Sequence, residues 1–170
     1  MTMHKKLAVI WDLDGVLANS DHRLHYIVSD RANPDWDSYH KETLDDRPIK
    51  SGLALFWALD FFGSYCQFIC TARPESNREL TEMWLKRSYL GTYQKLLMRK
   101  EGDERSGSDV KLDMLRQIRN EGYDVIMAFE DHPEIVSMYR MSNVPCFAAD
   151  DRHWHEASVQ NIAATCKGMK

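Results

Sequence analysis

The sequence predicts an α/β fold, a Rossmann-like parallel five-stranded sheet with helices on both faces and a small inserted cap. Two observations lead to this prediction. Short apolar segments alternate along the chain with longer segments whose apolar residues recur at helical spacing. One stretch, residues 19–48, breaks the alternation because it is polar and rich in aromatic and acidic residues. We expect residues 1–170 to form a single domain, with 19–48 as a cap inserted in it.

Five short apolar segments are predicted to be buried parallel strands, which typically have this length and composition. They span residues 7–11, 65–70, 94–98, 125–129 and 144–148.

Four helices are predicted between these strands from start and stop residues and from apolar spacing. The first covers 51–62 and ends at Gly63, and the second opens at Pro74 and runs to about residue 89. Asp109 can cap the third, which ends at Gly122, and the fourth covers 133–141.

Composition places the chain among ordinary globular proteins, with 170 residues, 44% hydrophobic and 28% charged. No run approaches the roughly 18 apolar residues of a membrane span. The first residues lack the long apolar region of a secretory signal, and the four cysteines show no CxxC pairing. We therefore expect no membrane association and a reducing, cytoplasmic location.

The net charge of −4 argues against broad, non-specific binding to nucleic acid. Residues 84–119 nevertheless carry nine basic and five acidic side chains, a local charge of +4. A solvated helical surface explains this segment more simply than a face for a polyanion.

Carboxylates follow two of the predicted strands. Asp12 and Asp14 come after the first strand, with Gly15 allowing a sharp turn, and such a pair could hold Mg²⁺. A simple turn or a fragment of a calcium loop is the alternative. Glu130 and Asp131 follow the fourth strand and would repel each other without a cation nearby. The alternative for Asp131 is a helix N-cap.

Phosphate-seeking side chains follow the second and third predicted strands. Thr71 and Arg73 come after the second strand and suit phosphate oxygens, although a helix cap and a surface arginine would explain them in isolation. Lys111 lies near a predicted helix N-terminus, where a cation calls for an anionic partner. All the clusters fall at the carboxyl edge of the sheet, where α/β proteins bind ligands. Together they predict a phosphoryl-transfer site.

This ordered set resembles the haloacid dehalogenase (HAD) superfamily of phosphatases. Its four motifs are matched in order by Asp12-x-Asp14-Gly15, Thr71, Lys111 and Glu130-Asp131. The chain is more closely similar to the 3′-phosphatase domain of phage polynucleotide kinase-phosphatase. It differs from that family in having Glu130 where Asp is frequent, and we expect no kinase module in this sequence. Residues 102–108 have the glycine spacing of a P-loop without its lysine, so we expect no NTP-binding site.

The resemblance implies a mechanism. Asp12 would form an aspartyl-phosphate, and Asp14 would serve as general acid and base, for which its pKa should be raised. The remaining roles are Mg²⁺ ligation by Asp12, the Asp14 carbonyl, Asp131 and Glu130, phosphate binding by Thr71 and Lys111, and phosphate or nucleotide binding by Arg73 and Arg23.

The implied substrate is a 3′-phosphate on a nucleic-acid end or a nucleotide. Trp36 and Tyr39 could stack on a base, or could pack under the cap instead. A 5′-nucleotidase acting on free nucleoside monophosphates is one alternative, and a non-catalytic module that binds Mg²⁺ or a partner is another. In the tail after residue 150, His153 and His155 could bind a metal but fit an ordinary surface segment better, and we assign the tail no function.

Overall fold

The computed structural model describes residues 5–30 and 32–149. Seven strands occur there: β1 Lys6–Trp11, β2 Ala18–Asn19, β3 Arg47–Pro48, β4 Cys66–Pro74, β5 Lys95–Arg99, β6 Tyr123–Glu130 and β7 Cys146–Ala148. Six α-helices occur there as well: α1 His25–Val28, α2 Trp36–Lys41, α3 Lys50–Phe62, α4 Arg78–Arg87, α5 Gly107–Asn120 and α6 Pro133–Met141.

Five of the strands form one sheet, in the order β5-β4-β1-β6-β7. Every neighbouring pair in it is parallel. Strand β1 lies at the centre, and the chain builds outward from it first on one side and then on the other. The Rossmann-like parallel five-stranded sheet is therefore confirmed.

Helices cover both faces of this sheet because alternate strand residues point to opposite sides. On one face, α5 and α6 pack through Leu115, Ile118 and Tyr139 onto strand residues such as Ile10 and Phe68. On the other face, side chains of α3 and α4 meet the opposite set of strand residues. That second cluster includes Phe56, Trp84, Leu85, Val9, Trp11 and Ile69.

The insertion forms a small cap of short elements. Strands β2 and β3 pair antiparallel at its base, with Ala18 opposite Pro48. Helices α1 and α2 and two turns of 3-10 helix lie between them. Two hydrogen bonds join the cap to α4 and to the residue just before it. Asn77 donates to Thr43 Oγ1 at 2.8 Å, and Trp84 of α4 donates to the Asp46 carbonyl at 2.9 Å. The inserted cap is thus present and tied to the body, whereas the assignment of 1–170 to one domain stays a prediction.

Three predicted element boundaries are wrong by more than two residues. Strand β4 continues to Pro74 because Pro74 pairs with Arg99 after a shift in register, so Thr71 and Arg73 lie inside the strand rather than after it. A 3-10 turn, Glu75–Asn77, then precedes α4. Helix α5 begins earlier than predicted, because the Ser106 hydroxyl, and not Asp109, caps it by accepting from the Asp109 N–H.

Other predictions concern redox state and membranes. Cys66, Cys70 and Cys146 are free thiols, and His153, His155 and Cys166 lie outside the described residues. Within residues 5–30 and 32–149, the longest helix has 14 residues, and none is long and apolar enough to span a bilayer.

A close backbone contact fixes the path from β1 to α3. A Cβ atom added to Gly52, in the first turn of α3, would lie 2.1 Å from the Val16 carbonyl oxygen. The Ile49 N–H donates to the Leu17 carbonyl at 2.8 Å just beside it. The loop that carries Asp14 and Gly15 therefore rests directly on the start of α3.

We predict that Gly52→Ala destabilises the protein. Helix propensity alone would favour Ala by about 1 kcal/mol, but contact with a backbone atom forces the loop to move, at a cost of about 1–3 kcal/mol. Urea denaturation measures the difference. Gly91→Ala is the matched control, because nothing lies within 4 Å of the added Cβ. Equal stability of the two variants would contradict the close contact.

Candidate active site

The register of the sheet brings the predicted site residues to one edge. Trp11, the last residue of β1, pairs with Ile69 of β4 and with Phe129 of β6. The Asp12 N–H then donates to the Phe129 carbonyl at 3.0 Å. Since parallel strands end at the same edge, Asp12 and Glu130 leave the sheet side by side. The expected convergence of the clusters at this edge is confirmed for these residues.

Three carboxylates and one ammonium form the centre of the site. Oxygens of Asp12, Glu130 and Asp131 all lie within 4.8 Å of one another. The Lys111 Nζ atom lies 2.7 Å from Asp12 Oδ1 and 2.5 Å from Glu130 Oε2. The second Glu130 oxygen accepts from the N–H groups of Asp131 and His132, each at 3.2 Å. The side chains of Asp12, Lys111 and Glu130 are almost fully buried, and that of Asp131 is half-buried. We call these four residues the acidic cluster.

Burial dominates the electrostatics of the acidic cluster. It raises the pKa of Asp12 well above its ordinary value, the Glu130 charge raises it further, and Lys111 opposes both. Burial likewise raises the pKa of Glu130 against the lowering effect of Lys111. Burial lowers the pKa of Lys111, but the two carboxylates raise it by more, so the ammonium stays protonated. The site is therefore short of positive charge, which a metal cation would supply.

Glycine at position 15 is required by the geometry of the cluster. Gly15 has φ +78°, a region that side chains disfavour, and a Cβ atom there would lie 2.3 Å from Asp131 Oδ2. Its N–H donates to the Ala18 carbonyl at 2.8 Å, which closes the turn after Asp14. The D-x-D-G turn thus passes directly against the Asp131 carboxylate.

A second group of charges surrounds Asp14. Its carboxylate accepts from Arg73 Nε at 2.9 Å, from Arg73 Nη2 at 2.6 Å and from Arg23 Nη2 at 2.7 Å. The same two arginines hold Asp46, through Arg23 Nε at 2.6 Å and through Nη2 of each arginine at 2.7 Å. The arginines and Asp46 are buried. We call Arg23, Arg73, Asp14 and Asp46 the arginine–aspartate network.

The predicted rise in the pKa of Asp14 is wrong for the protein without substrate. Burial raises this pKa, but the charge and hydrogen bonds of Arg73, together with the charge of Arg23, outweigh burial and hold it well below its ordinary value. The Asp14 carboxylate is also not among the oxygens grouped in the acidic cluster. Of the Asp14 oxygens, only the backbone carbonyl stays a candidate metal ligand, as the resemblance implies.

Sequence reasoning missed Asp46. It lies in the cap and follows Asp45, and this pair of adjacent acids resembles the Glu130-Asp131 pair that was recognised. Its role could not be predicted because its partner Arg73 is 27 residues away in the chain, and no local pattern links the two. Asp46 fixes Arg73 in the position from which it reaches Asp14.

The structure separates the two aromatic residues that were considered for stacking. Tyr39 is buried, and the Arg23 guanidinium lies over its ring with Cζ 3.9 Å from the ring centre. Tyr39 therefore packs under the cap, as the alternative interpretation had it. Trp36 is 50% exposed and stays available to a ligand.

Two smaller predictions concern Thr71 and the helix after β6. The Thr71 hydroxyl is buried and accepts from the Arg73 N–H at 3.2 Å. Thr71 therefore lies beside Arg73 in the last part of β4. The N-cap interpretation of Asp131 is wrong, since His132 caps α6 by accepting from the Glu134 N–H at 3.3 Å. Asp131 is thereby left to the acidic cluster.

Comparison with known proteins agrees with this geometry. Residues 6–154 match the family described as the polynucleotide kinase PNKP phosphatase domain. The chain belongs to this family. It is a phosphatase domain of the haloacid dehalogenase type, and hydrolysis of phosphoric monoesters is the activity that the family supports. None of the curated proteins matches the sequence.

Solved structures share the fold of this phosphatase domain. A chain of the Pnkp1/Rnl/Hen1 complex is 24% identical with a TM-score of 0.70, and the match covers 86% of this chain and 47% of that one. The class C acid phosphatase from Bacillus anthracis is 12% identical with a TM-score of 0.61, covering 88% and 69%. A predicted phosphatase from Clostridium acetobutylicum is 13% identical with a TM-score of 0.62, covering 85% and 84%. The phosphatase domain thus spans about half the length of the Pnkp1/Rnl/Hen1 chain.

We predict that Lys111→Met lowers the free energy of unfolding by about 3–5 kcal/mol in EDTA, because it leaves two buried carboxylates without their counter-ion. Urea denaturation at neutral pH measures this loss. Lys95→Met is the matched control: Lys95 pairs with Glu121 at 2.6 Å, but both side chains are more than a third exposed, so the loss should stay below about 1 kcal/mol. A loss of less than about 1 kcal/mol for Lys111→Met as well would refute the role given to this lysine.

Proposed function

We propose that this domain is a Mg²⁺-dependent phosphatase that acts through an aspartyl-phosphate on Asp12 and removes 3′-phosphates from nucleic-acid ends or nucleotides. The observation that carries the proposal is the acidic cluster, in which three carboxylates meet within 4.8 Å beside a buried lysine. Phosphoryl transfer through a carboxylate needs a nucleophile, a cation and a phosphate-binding group close together, and the acidic cluster offers residues for all three at one edge of the sheet.

The residues of the acidic cluster fit Mg²⁺. Oxygen ligands are the kind this ion prefers, and Asp12, Glu130 and Asp131 supply them. Three carboxylates and one ammonium carry a net charge of −2, which a divalent cation balances. The Asp14 backbone carbonyl would complete the protein ligands. When bound, the ion neutralises charge between the nucleophile and the incoming phosphate, two anions that would otherwise repel each other.

Asp12 is proposed to act first. One of its carboxylate oxygens attacks the phosphorus, a new P–O bond forms, and the bond from phosphorus to the sugar oxygen breaks. Water then attacks the phosphorus of the aspartyl-phosphate, which releases inorganic phosphate and restores the Asp12 carboxylate. Splitting one difficult hydrolysis into two transfers is the usual advantage of a covalent intermediate.

Asp14 is proposed to move the proton in both steps. It would give a proton to the leaving sugar oxygen and take one from the attacking water. In the free protein its contacts with Arg73 and Arg23 favour the carboxylate, the form needed for the second step. A substrate phosphate that draws Arg73 toward itself would weaken these contacts and allow the protonated form needed for the first step.

Phosphate binding is proposed to involve Thr71, Lys111 and Arg73. Lys111 already lies against the nucleophile, and Arg73 has a buried Nη1 atom without a partner among residues 5–30 and 32–149. Arg23 is different, because every one of its nitrogens already donates to Asp14, Asp46 or the Tyr39 carbonyl. We propose that Arg23 serves the substrate by positioning Asp14 more than by direct contact.

The 3′ position of the substrate phosphate and the cytoplasmic location rest on family membership and on the sequence. The family is that of a polynucleotide kinase phosphatase domain, which makes a nucleic-acid 3′-end the leading substrate class. The 5′-nucleotidase and the non-catalytic module remain the alternatives that an assay must separate.

We predict that Asp12→Asn lowers kcat by roughly 10⁴-fold or more, because an amide cannot replace the nucleophilic carboxylate. Release of p-nitrophenol from p-nitrophenyl phosphate measures the activity, and circular dichroism checks the fold. Asp124→Asn is the control, since this exposed residue is the second of β6 and lies toward the opposite end of the strand from Glu130. Near-normal hydrolysis by the Asp12 variant would exclude this nucleophile.

A substrate panel tests the metal and the position of the phosphate. We predict that a 3′-phosphorylated oligonucleotide is hydrolysed with a kcat/KM at least about tenfold above that of 5′-mononucleotides. EDTA should stop all hydrolysis and added Mg²⁺ should restore it. A preference for 5′-mononucleotides would point to the 5′-nucleotidase, and no release from any ester, p-nitrophenyl phosphate included, would favour the non-catalytic module.

A further inference from the structure

Helix α3 is apolar on its outward face as well as on the face that packs against the sheet. Only Lys50, Ser51 and Asp60 of its 13 residues have hydrophilic side chains. The inward face is buried through Leu53 and Phe56. The outward face consists of exposed apolar residues on successive turns, namely Ala54, Trp57, Ala58 and Phe61. Since a helix that is apolar all round is normally buried, this outward face calls for a partner.

Helix α5 shows how a solvent-facing helix of this protein differs from α3. It packs inward through Leu115 and Ile118, and it exposes Asp113 and Arg116, which pair at 3.0 Å. The outward face of α3 has no such charges. Contiguous exposed apolar surface of this kind marks a site of interaction with another molecule.

Tyr89 extends the apolar surface of α3 toward the end of α4. Its carbonyl accepts from Trp57 Nε1 at 3.3 Å, so the two residues are neighbours. Tyr89 is 81% exposed and has φ +59°, a conformation that bulky side chains disfavour and that glycine usually supplies after a helix. An aromatic residue held in this strained conformation points to a functional requirement at the surface.

Phe62 completes the same surface, since its ring meets that of Phe61 edge-on at 6.1 Å. We define the aromatic face as the outward residues of α3 with these two neighbours: Ala54, Trp57, Ala58, Phe61, Phe62 and Tyr89.

The area of the aromatic face is large enough for a protein partner. A buried aromatic side chain contributes about 150–250 Å², so four that are 42–89% exposed offer on the order of 500 Å². Specific protein interfaces bury about 800 Å² on each partner. The four aromatic residues alone thus supply more than half of that area.

The order of residues along α3 makes the aromatic face complementary to itself. Positions 54, 57, 58 and 61 lie along one side of the helix and alternate small, large, small and large. A two-fold axis between positions 57 and 58 would set the α3 helix of a second copy antiparallel to the first. Phe61 of each copy would then meet Ala54 of the other, and Trp57 would meet Ala58. Each large ring has a small residue opposite it, and none of the four positions carries a charge that contact would bury.

We propose that the aromatic face is the interface between two copies of this chain, with their α3 helices antiparallel across a two-fold axis. A membrane surface is the other partner that exposed aromatic residues could fit. Helices that bind membranes are typically rich in Lys and Arg, whereas Lys50 is the one basic residue of α3. The alternation of large and small residues favours the second copy. The proposal is independent of the phosphatase function.

Sedimentation velocity over a range of protein concentrations tests the interface. We expect the wild-type protein to dimerise and Phe61→Glu to raise the dimer dissociation constant at least about tenfold, because a charge replaces an aromatic anchor. Met141→Glu is the matched control, since Met141 is 85% exposed at the end of α6, on the other face of the sheet. A wild-type protein that is monomeric at every concentration, or equal dissociation constants for the two variants, would overturn the proposal.

An exchange of residues tests the antiparallel arrangement. Ala54→Phe would bring two phenylalanines together and Phe61→Ala would bring two alanines together, so each change alone should weaken the dimer. The double variant Ala54→Phe/Phe61→Ala restores one large and one small residue at each contact and should recover most of the affinity. Both positions are exposed, and circular dichroism checks that every variant folds. Absence of recovery would overturn the proposal, as would a monomer that instead floats with phosphatidylcholine vesicles.

Discussion

Two arginines and two aspartates form one set of ion pairs across the boundary between the cap and the body. Arg23 and Asp46 belong to the cap, whereas Arg73 and Asp14 belong to the body. Each arginine holds both acids, so the two halves share one buried set of charges. Because a buried charge without a partner is costly, these shared ion pairs fix the position of the cap over the sheet. The position of Asp14, and with it the path of the turn that carries Gly15, follows from that arrangement.

The first residues after β1 divide the site into two electrostatic regions. Asp12 and Asp14 are separated by one residue, yet their carboxylates have different partners. Asp12 meets Lys111 and an excess of negative charge, whereas Asp14 meets two arginines that match its charge and that of Asp46. Burial raises the pKa at both positions, but the two arginines outweigh it at Asp14, so the same residue type has a raised pKa at position 12 and a lowered pKa at position 14. The proposed nucleophile, Asp12, and the proposed acid–base group, Asp14, can thus lie two residues apart in different electrostatic surroundings.

Local signals were enough to predict much of this molecule. Apolar runs between polar residues predicted all five strands of the main sheet, because a parallel strand that is buried on both faces is a nearly continuous run of hydrophobic residues. Helix α6 was predicted with its observed ends because Pro133 marks its first turn. Asp12, Lys111, Glu130 and Asp131 were predicted to meet because the carboxyl ends of parallel strands share an edge.

Features that depend on distant partners were not predictable. The end of β4 moved because Pro74 pairs with a residue of the next strand, and the role of Asp46 depends on arginines elsewhere in the chain. The pKa of Asp14 was predicted in the wrong direction because the resemblance named its role without its neighbours. Arg23 was known as a candidate, but its saturation by Asp46, Asp14 and the Tyr39 carbonyl is a property of the folded cap.

The shared charges also decide what can reach the site. Hinging the cap away would separate Arg23 from Asp14 and Arg73 from Asp46, two buried ion pairs that join the cap to the body. We expect these pairs to keep the cap closed, so that it forms a wall over the site. A polymer cannot be laid lengthwise beneath a wall that stays shut. We therefore expect the site to admit a chain only by its terminus, which makes the geometry of the cap itself a filter for ends over interior positions.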